Sequence, residues 1–317
     1  MGTIIGASYY QLKYALRNRL RARAPESDWL YRHYVGKPFL DTEAANRLTA
    51  ELITAGTPFM MGRFGAVELF NMRTAEFHLN GKQQKACEQL CTCAGFFPND
   101  TSLLPRFNEV MTDACRQTDI LGIWQNACED YYIKKYCKDL QATCKLISIE
   151  PWRCQNPWSA ALEGKKVLVI HPFEASIQKQ YENYDKLFPG TSILPKFELK
   201  TLKAVQTAGD AVDPRFATWF DALEWMCREC EKIDFDIALI GCGAYGFPLA
   251  AHIKKLGKGA IHLGGCLQIL FGLKGRRWDE EEPDIVAMYN DYWHYPLRSE
   301  VPSGSADVEG GTYWKKE

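Results

Sequence analysis

The sequence predicts an α/β chain: a doubly wound, mostly parallel sheet with a helical N-terminal insert. Three observations lead there. Short apolar runs of strand length alternate with amphipathic stretches long enough for helices, the pattern of successive strand–helix–strand crossovers. The clearest run, at 166–170, is apolar almost throughout between charged residues and His171-Pro172, as a strand buried on both faces must be. Glycine-bearing turns directly follow several runs, and in open parallel sheets those turns are where ligands bind.

Taken in order, residues 1–40 read as a basic helical segment and 41–300 as one α/β domain. The domain opens with a helix at 41–55, capped by Asp41 or Thr42, and a short buried strand at 58–62. Helices follow at 65–78, 82–91 and 102–115. Strands at 119–124 and 145–149 flank a helix at 129–140, and Pro151 and Pro157 then bracket a Trp-rich turn. The second half reads strand 166–170, helix 175–188, strand 192–194, helix 214–233, strand 236–240, helix 245–256, strand 260–263 and helix 266–271. Residues 301–317, with Pro302, Ser303, Gly304, Ser305, Gly310 and Gly311, read as a loosely ordered tail.

Composition narrows the function classes. The 317 residues are 46% hydrophobic, 24% charged and 13% aromatic, which is globular and not disordered, collagenous or coiled-coil. Thirty-eight Lys and Arg against 39 Asp and Glu give a formal charge of -1, so no global electrostatic case for nucleic acid exists. No apolar run approaches the roughly 20 residues of a membrane helix. The chain also lacks the apolar core of a signal peptide, so a cytoplasmic location is expected. Residues 1–25 carry Lys13, Arg17, Arg19, Arg21 and Arg23 with no acid, interleaved with Ile4, Ile5, Tyr9, Tyr10, Leu12, Tyr14 and Leu20. Such a segment either rests on an anionic membrane surface or packs on the domain as a solvated helix. Met1-Gly2 is not followed by Ser or Thr at position 6, so no lipid anchor is expected. Twelve cysteines without paired knuckles point to free thiols, and Cys227-x-x-Cys230 on a helix reads as core filling.

Four turns can carry chemistry. Gly241-Cys242-Gly243-Ala244-Tyr245-Gly246 runs from a strand into a helix as G-x-G-x-x-G, where glycines admit close approach and the helix start offers N–H groups to phosphate. Close strand–helix packing is the other reason for those glycines. The next strand ends His262-Leu263-Gly264-Gly265 without the acidic residue that would hold a dinucleotide ribose. This counts against an NAD oxidoreductase and weakens an S-adenosylmethionine methyltransferase. Beyond it lie Lys274, Arg276 and Arg277, either diphosphate ligands or a solvated surface stretch. His171 at a strand end is a candidate base or hydrogen-bonding group, backed by Glu174. Arg63-Phe64-Gly65-Ala66-Val67-Glu68 places a guanidinium and a carboxylate on a strand-to-helix turn, where they can serve a phosphate and a proton or metal, or simply pair with each other.

Together these blocks resemble the GT-D class of glycosyltransferases, Rossmann-like nucleotide-sugar enzymes of bacterial glycan assembly. Arg63-Phe64-Gly65-x-x-Glu68 is similar to that group's Arg-aromatic-Gly-Asp-Gly-Glu motif, and 236–278 is similar to the C-terminal half of related proteins. The resemblance implies a nucleotide-sugar-dependent glycosyltransferase working on a surface polysaccharide or related glycan, with a glycan or lipid-linked acceptor. It implies nucleotide-sugar binding by Arg63, Gly65, Gly241, Gly243, Tyr245, Gly246, Gly264, Gly265, Lys274 and Arg276, with Glu68 catalytic; His171, from its strand-end position alone, is the reserve candidate for the catalytic base. It also implies Mn²⁺ or Mg²⁺, with Glu68 as a ligand, although Ala66 stands where the family's Asp-x-Glu has its Asp. A non-catalytic sugar-nucleotide or glycan-binding partner is the alternative that Ala66 favours.

Overall fold

The computed structural model describes residues 4–23, 28–209 and 211–315. Seven strands are β1 (Phe59–Arg63), β2 (Ile120–Ile123), β3 (Ala142–Lys145), β4 (Lys166–His171), β5 (Glu198–Lys203), β6 (Ile237–Ile240) and β7 (Gly259–His262). They form one sheet in the order β3-β2-β1-β7-β6-β4-β5, with every pairing parallel. The expected α/β class and its parallel sheet are therefore present.

Alternate side chains divide between two cores, as the pleat requires. Met60, Leu121, Leu168, Ile170, Ala238, Ile240 and Ala260 face one layer of helices. Phe59, Met61, Ile120, Val167, Val169, Ile237, Leu239 and Ile261 face the other. A sheet covered on both sides explains why its strands read as continuous apolar runs.

Two strands differ from expectation. The sheet's third strand is 142–145, because its partner β2 ends at Ile123, opposite Lys145. Residues 146–149 instead turn in a 3₁₀ helix that seats Ile149 against Gly122. The expected strand 192–194 is absent, and β5 lies at Glu198–Lys203. This edge strand is only half buried and charged (Glu198, Lys200, Lys203), so it carries no apolar run to find. Charges on an edge also block further strand addition. The helix expected at 175–188 is two, Glu174–Tyr181 and Tyr184–Leu187, and the one expected at 129–140 stops at Tyr136. The helix Thr42–Ala55 keeps its expected cap: Asp41 accepts from the Ala44 N–H at 2.8 Å, and Gly56 closes the far end at φ 64.

The N-terminal helix Ile4–Arg23 lies against the domain with cations turned inward. Lys13 and Arg17 pair with buried Asp130, Arg17 stacks over Tyr34 at 4.2 Å, and Arg21 donates to the Trp124 carbonyl at 3.2 Å. Tyr9, Leu12, Leu16 and Leu20 are left exposed on its outer side. Residues 1–3 and 24–25 of the basic segment, with the side chains of Ile4 and Ile5, lie outside the described residues, as do 316–317 of the expected tail. No helix among the described residues is long and apolar enough to cross a membrane.

The last residues fold back on the domain. Glu300 accepts from the Ala175 N–H at 2.8 Å and from the Ser176 N–H and hydroxyl, which ties it to the start of the helix after β4. Arg276 and Arg277 donate their backbone N–H groups to the carbonyls of Trp314 and Thr312. Val308 and Trp314 are buried. Reading 301–317 as a tail gave no warning of these contacts.

Candidate functional site

The carboxyl ends of β1, β4, β6 and β7 open onto one cavity of about 280 Å³. Its wall is completed by 93–95, by 205–208 and by residues 308–314 of the returning C-terminal segment. The sheet thus brings together the Arg63, His171, Gly241 and His262 strand ends, which lie far apart in sequence, as expected for an open parallel sheet.

Arg63 ends β1, and its guanidinium lies over the Trp124 ring at 4.6 Å. Trp124 is fixed in turn, with its indole N–H donating to the Phe64 carbonyl at 3.0 Å. The loop holding Trp124 is organised by buried Glu129, which accepts from the Trp124 and Asn126 N–H groups and from the Tyr34 hydroxyl. Burial raises the Glu129 carboxyl to about 7. Arg63 makes no ion pair within 4.0 Å among the described residues, so the bland reading of an Arg63–Glu68 contact pair does not describe this turn.

Glu68 stands in the first turn of the helix Ala66–Glu76, whose N-cap Gly65 offers no side chain. Its carboxylate folds back over the Gly65 Cα, and a Cβ there would overlap it. Burial pushes the Glu68 carboxyl above the usual carboxylate range, with its own backbone N–H and then Arg63 opposing that shift and Glu309 adding to it.

Two histidines form the floor. His171 is buried, and its Nδ1 accepts from the Phe173 N–H at 3.0 Å. That bond leaves the ring proton on Nε2, so His171 presents a donor. Burial holds its imidazole down to about 3. His262 is also buried and lowered to about 3, by burial first and then by Arg63.

The glycines of 241–246 each have a protein neighbour that explains them. A Cβ on Gly241 would crowd the Gly264 carbonyl and His171, and one on Gly246 would overlap the His262 ring. Gly243 combines φ +57 with the Ala94 carbonyl 2.8 Å from where a Cβ would sit. Tyr245 lines the cavity but is committed to the wall. Its ring stacks on Trp219, and its hydroxyl meets Thr207 Oγ1 at 3.2 Å. Gly264 adopts φ +68 beside Arg63, and Gly265 lies under the Tyr313 ring.

The cationic stretch contributes differently from expectation. Arg277 reaches the cavity, whereas Lys274 and Arg276 are not among its lining residues. Lys274, just before the helix Arg276–Glu281, is held by its N–H bond to the His294 carbonyl and extends over the Tyr289 ring, and Arg276 on the helix pairs with Glu280. Sequence reasoning missed Thr207, Glu309 and Tyr313 as cavity residues. None stands in a glycine turn at a strand end, which was the signal followed.

Residues 40–270 match the GT-D fold-like domain. The chain belongs to the GT-D fold-like family. Membership supports a glycosyltransferase, and the matched span holds Arg63, Glu68, His171 and both glycine turns. Arg277, Glu309 and Tyr313 lie beyond it. No curated protein matches the chain. Among solved structures it is similar to a selenomethionine-substituted structure of domain of unknown function 1792, at 12% identity and TM-score 0.44, over 87% of this chain and 96% of that one. A second, described as a highly conserved domain of unknown function 1792 with a distinct glycosyltransferase fold, gives 13% identity and TM-score 0.42 over 86% and 96%.

The GT-D fold-like motif raises the question of a divalent cation. Ala66, at the position of the motif's Asp, is an exposed methyl in the cavity wall. Among the described residues no three His, Cys, Asp or Glu side chains converge as a ligand set, and Glu68 and Glu309 are the carboxylates of the wall. Hard cations require a nearly full oxygen shell. The side chains present do not fit such an ion by themselves.

Proposed function

We propose that this cavity binds a nucleotide sugar and transfers its sugar to a hydroxyl of a glycan or lipid-linked acceptor, in assembly of a surface polysaccharide or related glycan. The observation that carries this reading is Arg63, a guanidinium at a strand end inside the cavity, braced by Trp124 and, among the described residues, with no carboxylate within 4.0 Å. A planar fork held this way suits a diphosphate. Arg277 adds a second cation on the same wall. As the bond between sugar and diphosphate breaks, negative charge grows on the departing nucleoside diphosphate, and these cations stabilise it. Glu68 takes the proton of the acceptor hydroxyl as the new glycosidic bond forms. His171, neutral with Nε2–H as donor, hydrogen-bonds a substrate oxygen.

A thermal-shift screen with UDP, GDP and dTDP and their sugars, with and without Mn²⁺, tests the donor half of this reading. NAD and S-adenosylmethionine serve as controls. A ligand at 100 times its dissociation constant stabilises a fold by about 2.7 kcal/mol, a few degrees of melting temperature. At least one nucleoside diphosphate is expected to do so, and Arg63→Gln is expected to abolish most of that shift. A shift confined to NAD or S-adenosylmethionine, or one that Arg63→Gln leaves intact, removes the basis of the reading. The exposed Ala66 favours a second reading, a sugar-nucleotide-binding partner without catalysis. Nucleotide binding with neither transfer nor donor hydrolysis would select it.

The outer stripe of the N-terminal helix fits an anionic lipid surface, which would place the enzyme beside a lipid-linked acceptor. Tyr9, Leu12, Leu16 and Leu20 are exposed together with Arg19 and Arg23, and no acid occurs in the helix. Full-length protein is expected to sediment with phosphatidylserine-containing vesicles and not with phosphatidylcholine alone. The pair Leu12→Glu and Leu16→Glu is expected to stay in the supernatant. Equal sedimentation with both vesicle types, or of the variant, would count against a lipid contact.

A further inference from the structure

The cavity has a second acidic side chain that the family motif does not supply, and its backbone is held at a conformational cost. Glu309 reaches the cavity mouth from the C-terminal segment, beyond the matched span 40–270. It adopts φ 49, in the left-handed region that glycine occupies readily and glutamate does not. The next two residues, Gly310 and Gly311, take positive φ as glycines. A glutamate in such a turn is retained against its local preference. Its position is fixed by neighbours: the Tyr313 hydroxyl donates to Glu309 Oε2 at 3.1 Å, and Tyr313 packs on Gly265, where no Cβ would fit.

A separate observation on the same wall points to a ligand. Gln268 lines the cavity and is fully buried. Its Nε2 donates to the carbonyls of Leu273, Lys274 and Tyr313, which fixes the amide's orientation. Its Oε1 finds no donor among the described residues. A buried acceptor without a donor is costly unless something supplies one.

The polar groups therefore divide by kind. Arg63 and Arg277 suit a diphosphate, whereas Glu309, Gln268 Oε1 and Glu68 are acceptors. Carboxylates repel phosphate and accept hydrogen bonds from hydroxyls. We infer that Glu309, on the C-terminal segment, and Gln268 form a hydroxyl-reading subsite for the sugar acceptor in the cavity that Glu68 also lines, so that Glu309 supplies the second carboxylate that Ala66 does not. This inference rests on the transferase reading above.

Glu309→Gln and Glu309→Gly test it together, in the full chain. The donor is whichever nucleotide sugar shifts the melting temperature, and the acceptor probes are methyl glycosides of common hexoses. Glu309→Gln is expected to keep the nucleoside diphosphate shift while raising the KM for the glycoside about tenfold, the scale of one lost charged hydrogen bond. Glu309→Gly is expected to lose transfer likewise while melting no lower than the natural protein, because glycine relieves the left-handed backbone. Gln268→Leu is expected to raise the glycoside KM without weakening the diphosphate shift. Unchanged glycoside KM in Glu309→Gln overturns the inference. So does a Glu309→Gln variant that loses nucleoside diphosphate binding, since that places Glu309 on the donor side. A Glu309→Gly variant that melts lower while Glu309→Gln transfers normally marks a purely structural residue. If the natural protein transfers sugar to no acceptor, water included, the transferase reading itself has failed and takes this inference with it.

Discussion

Glu68→Gln is expected to lower sugar transfer by about 10²- to 10⁴-fold, the usual contribution of a positioned general base. The amide keeps the shape of the carboxylate and retains an oxygen for the backbone N–H that Glu68 accepts. The melting temperature and the nucleoside diphosphate shift should therefore stay close to those of the natural protein. The pH profile supplies the sign. A base acts when ionised, and burial raises the Glu68 carboxyl. Transfer should accordingly fall as pH drops through that raised value, and the residual rate of Glu68→Gln should not. Gly65→Ala makes an independent check. Gly65 has an ordinary extended backbone at φ -79, so alanine is tolerated there, yet its Cβ would displace the Glu68 carboxylate. Both variants should lose transfer without unfolding. Natural rates in Glu68→Gln would remove Glu68 from the chemistry and leave it as a helix-start residue.

Acid is expected to unfold this protein through its two buried histidines. An unfolded chain protonates histidine near its ordinary 6.5, while burial holds His171 and His262 at about 3. Their folded-state values are depressed, so the unfolded state binds more protons below 6.5 and stability is lost as pH falls from 6.5 towards 3. At pH 4 each histidine removes about 3 kcal/mol, at 1.36 kcal/mol per unit. Glu129 runs the other way. Its carboxyl is raised to about 7, so its contribution is full below the ordinary glutamate range and fades as pH rises through 7. Between pH 7 and 5 it offsets about 3 kcal/mol of the loss, which concentrates the fall in stability below pH 5. Against a total stability of about 5–15 kcal/mol, the net loss is large. Urea midpoints from pH 7 to 4 measure it. His171→Asn with His262→Asn should flatten the acid limb, asparagine at 171 keeping an acceptor for the Phe173 N–H. An acid limb identical in that double variant would mean that these rings are not the groups being protonated.

The parts of the site that lie on strand ends were legible in the sequence, because a strand buried on both faces announces itself and its following turn. Arg63, Glu68, His171, Gly241, Gly243, Gly264 and Gly265 all reach one cavity for that reason, whereas Gly246 lies behind the His262 ring and is not among its lining residues. What the glycines do was less legible: Gly241, Gly243 and Gly246 make room for His171, the Ala94 carbonyl and the His262 ring, and nothing local to the motif says so. Lys274 and Arg276 fall outside the cavity because a charge run does not reveal which of its residues enters a helix, or which face of that short helix turns inward. β5 was missed because an edge strand with charges alternating along it lacks the apolar signal. Glu309 and Tyr313 sit among Ser, Gly and Pro, the composition of a loose end, and what places them is long-range: the Tyr313 ring on Gly265, the Gln268 amide donating to the Tyr313 carbonyl, and the neighbouring Thr312 and Trp314 carbonyls accepting from the Arg277 and Arg276 backbone.

The return of the C-terminal segment also sets an order of events. The seven-stranded sheet closes its ladder at residue 262, so every strand pairing can be complete while the cavity still lacks one wall. Docking of 300–314, latched by Glu300 on the helix start at Ala175 and Ser176, is expected to be a separate loop closure that follows the sheet. Its undocking would withdraw Val308 and Trp314 from the core and uncover Phe173 and Trp278 while leaving the sheet's pairings in place, so this step is expected to reverse without global unfolding. Amide exchange in 305–314 should then report occupancy of the cavity, slowing when a nucleotide sugar is bound, while exchange in β4 and β6 reports the stability of the whole domain.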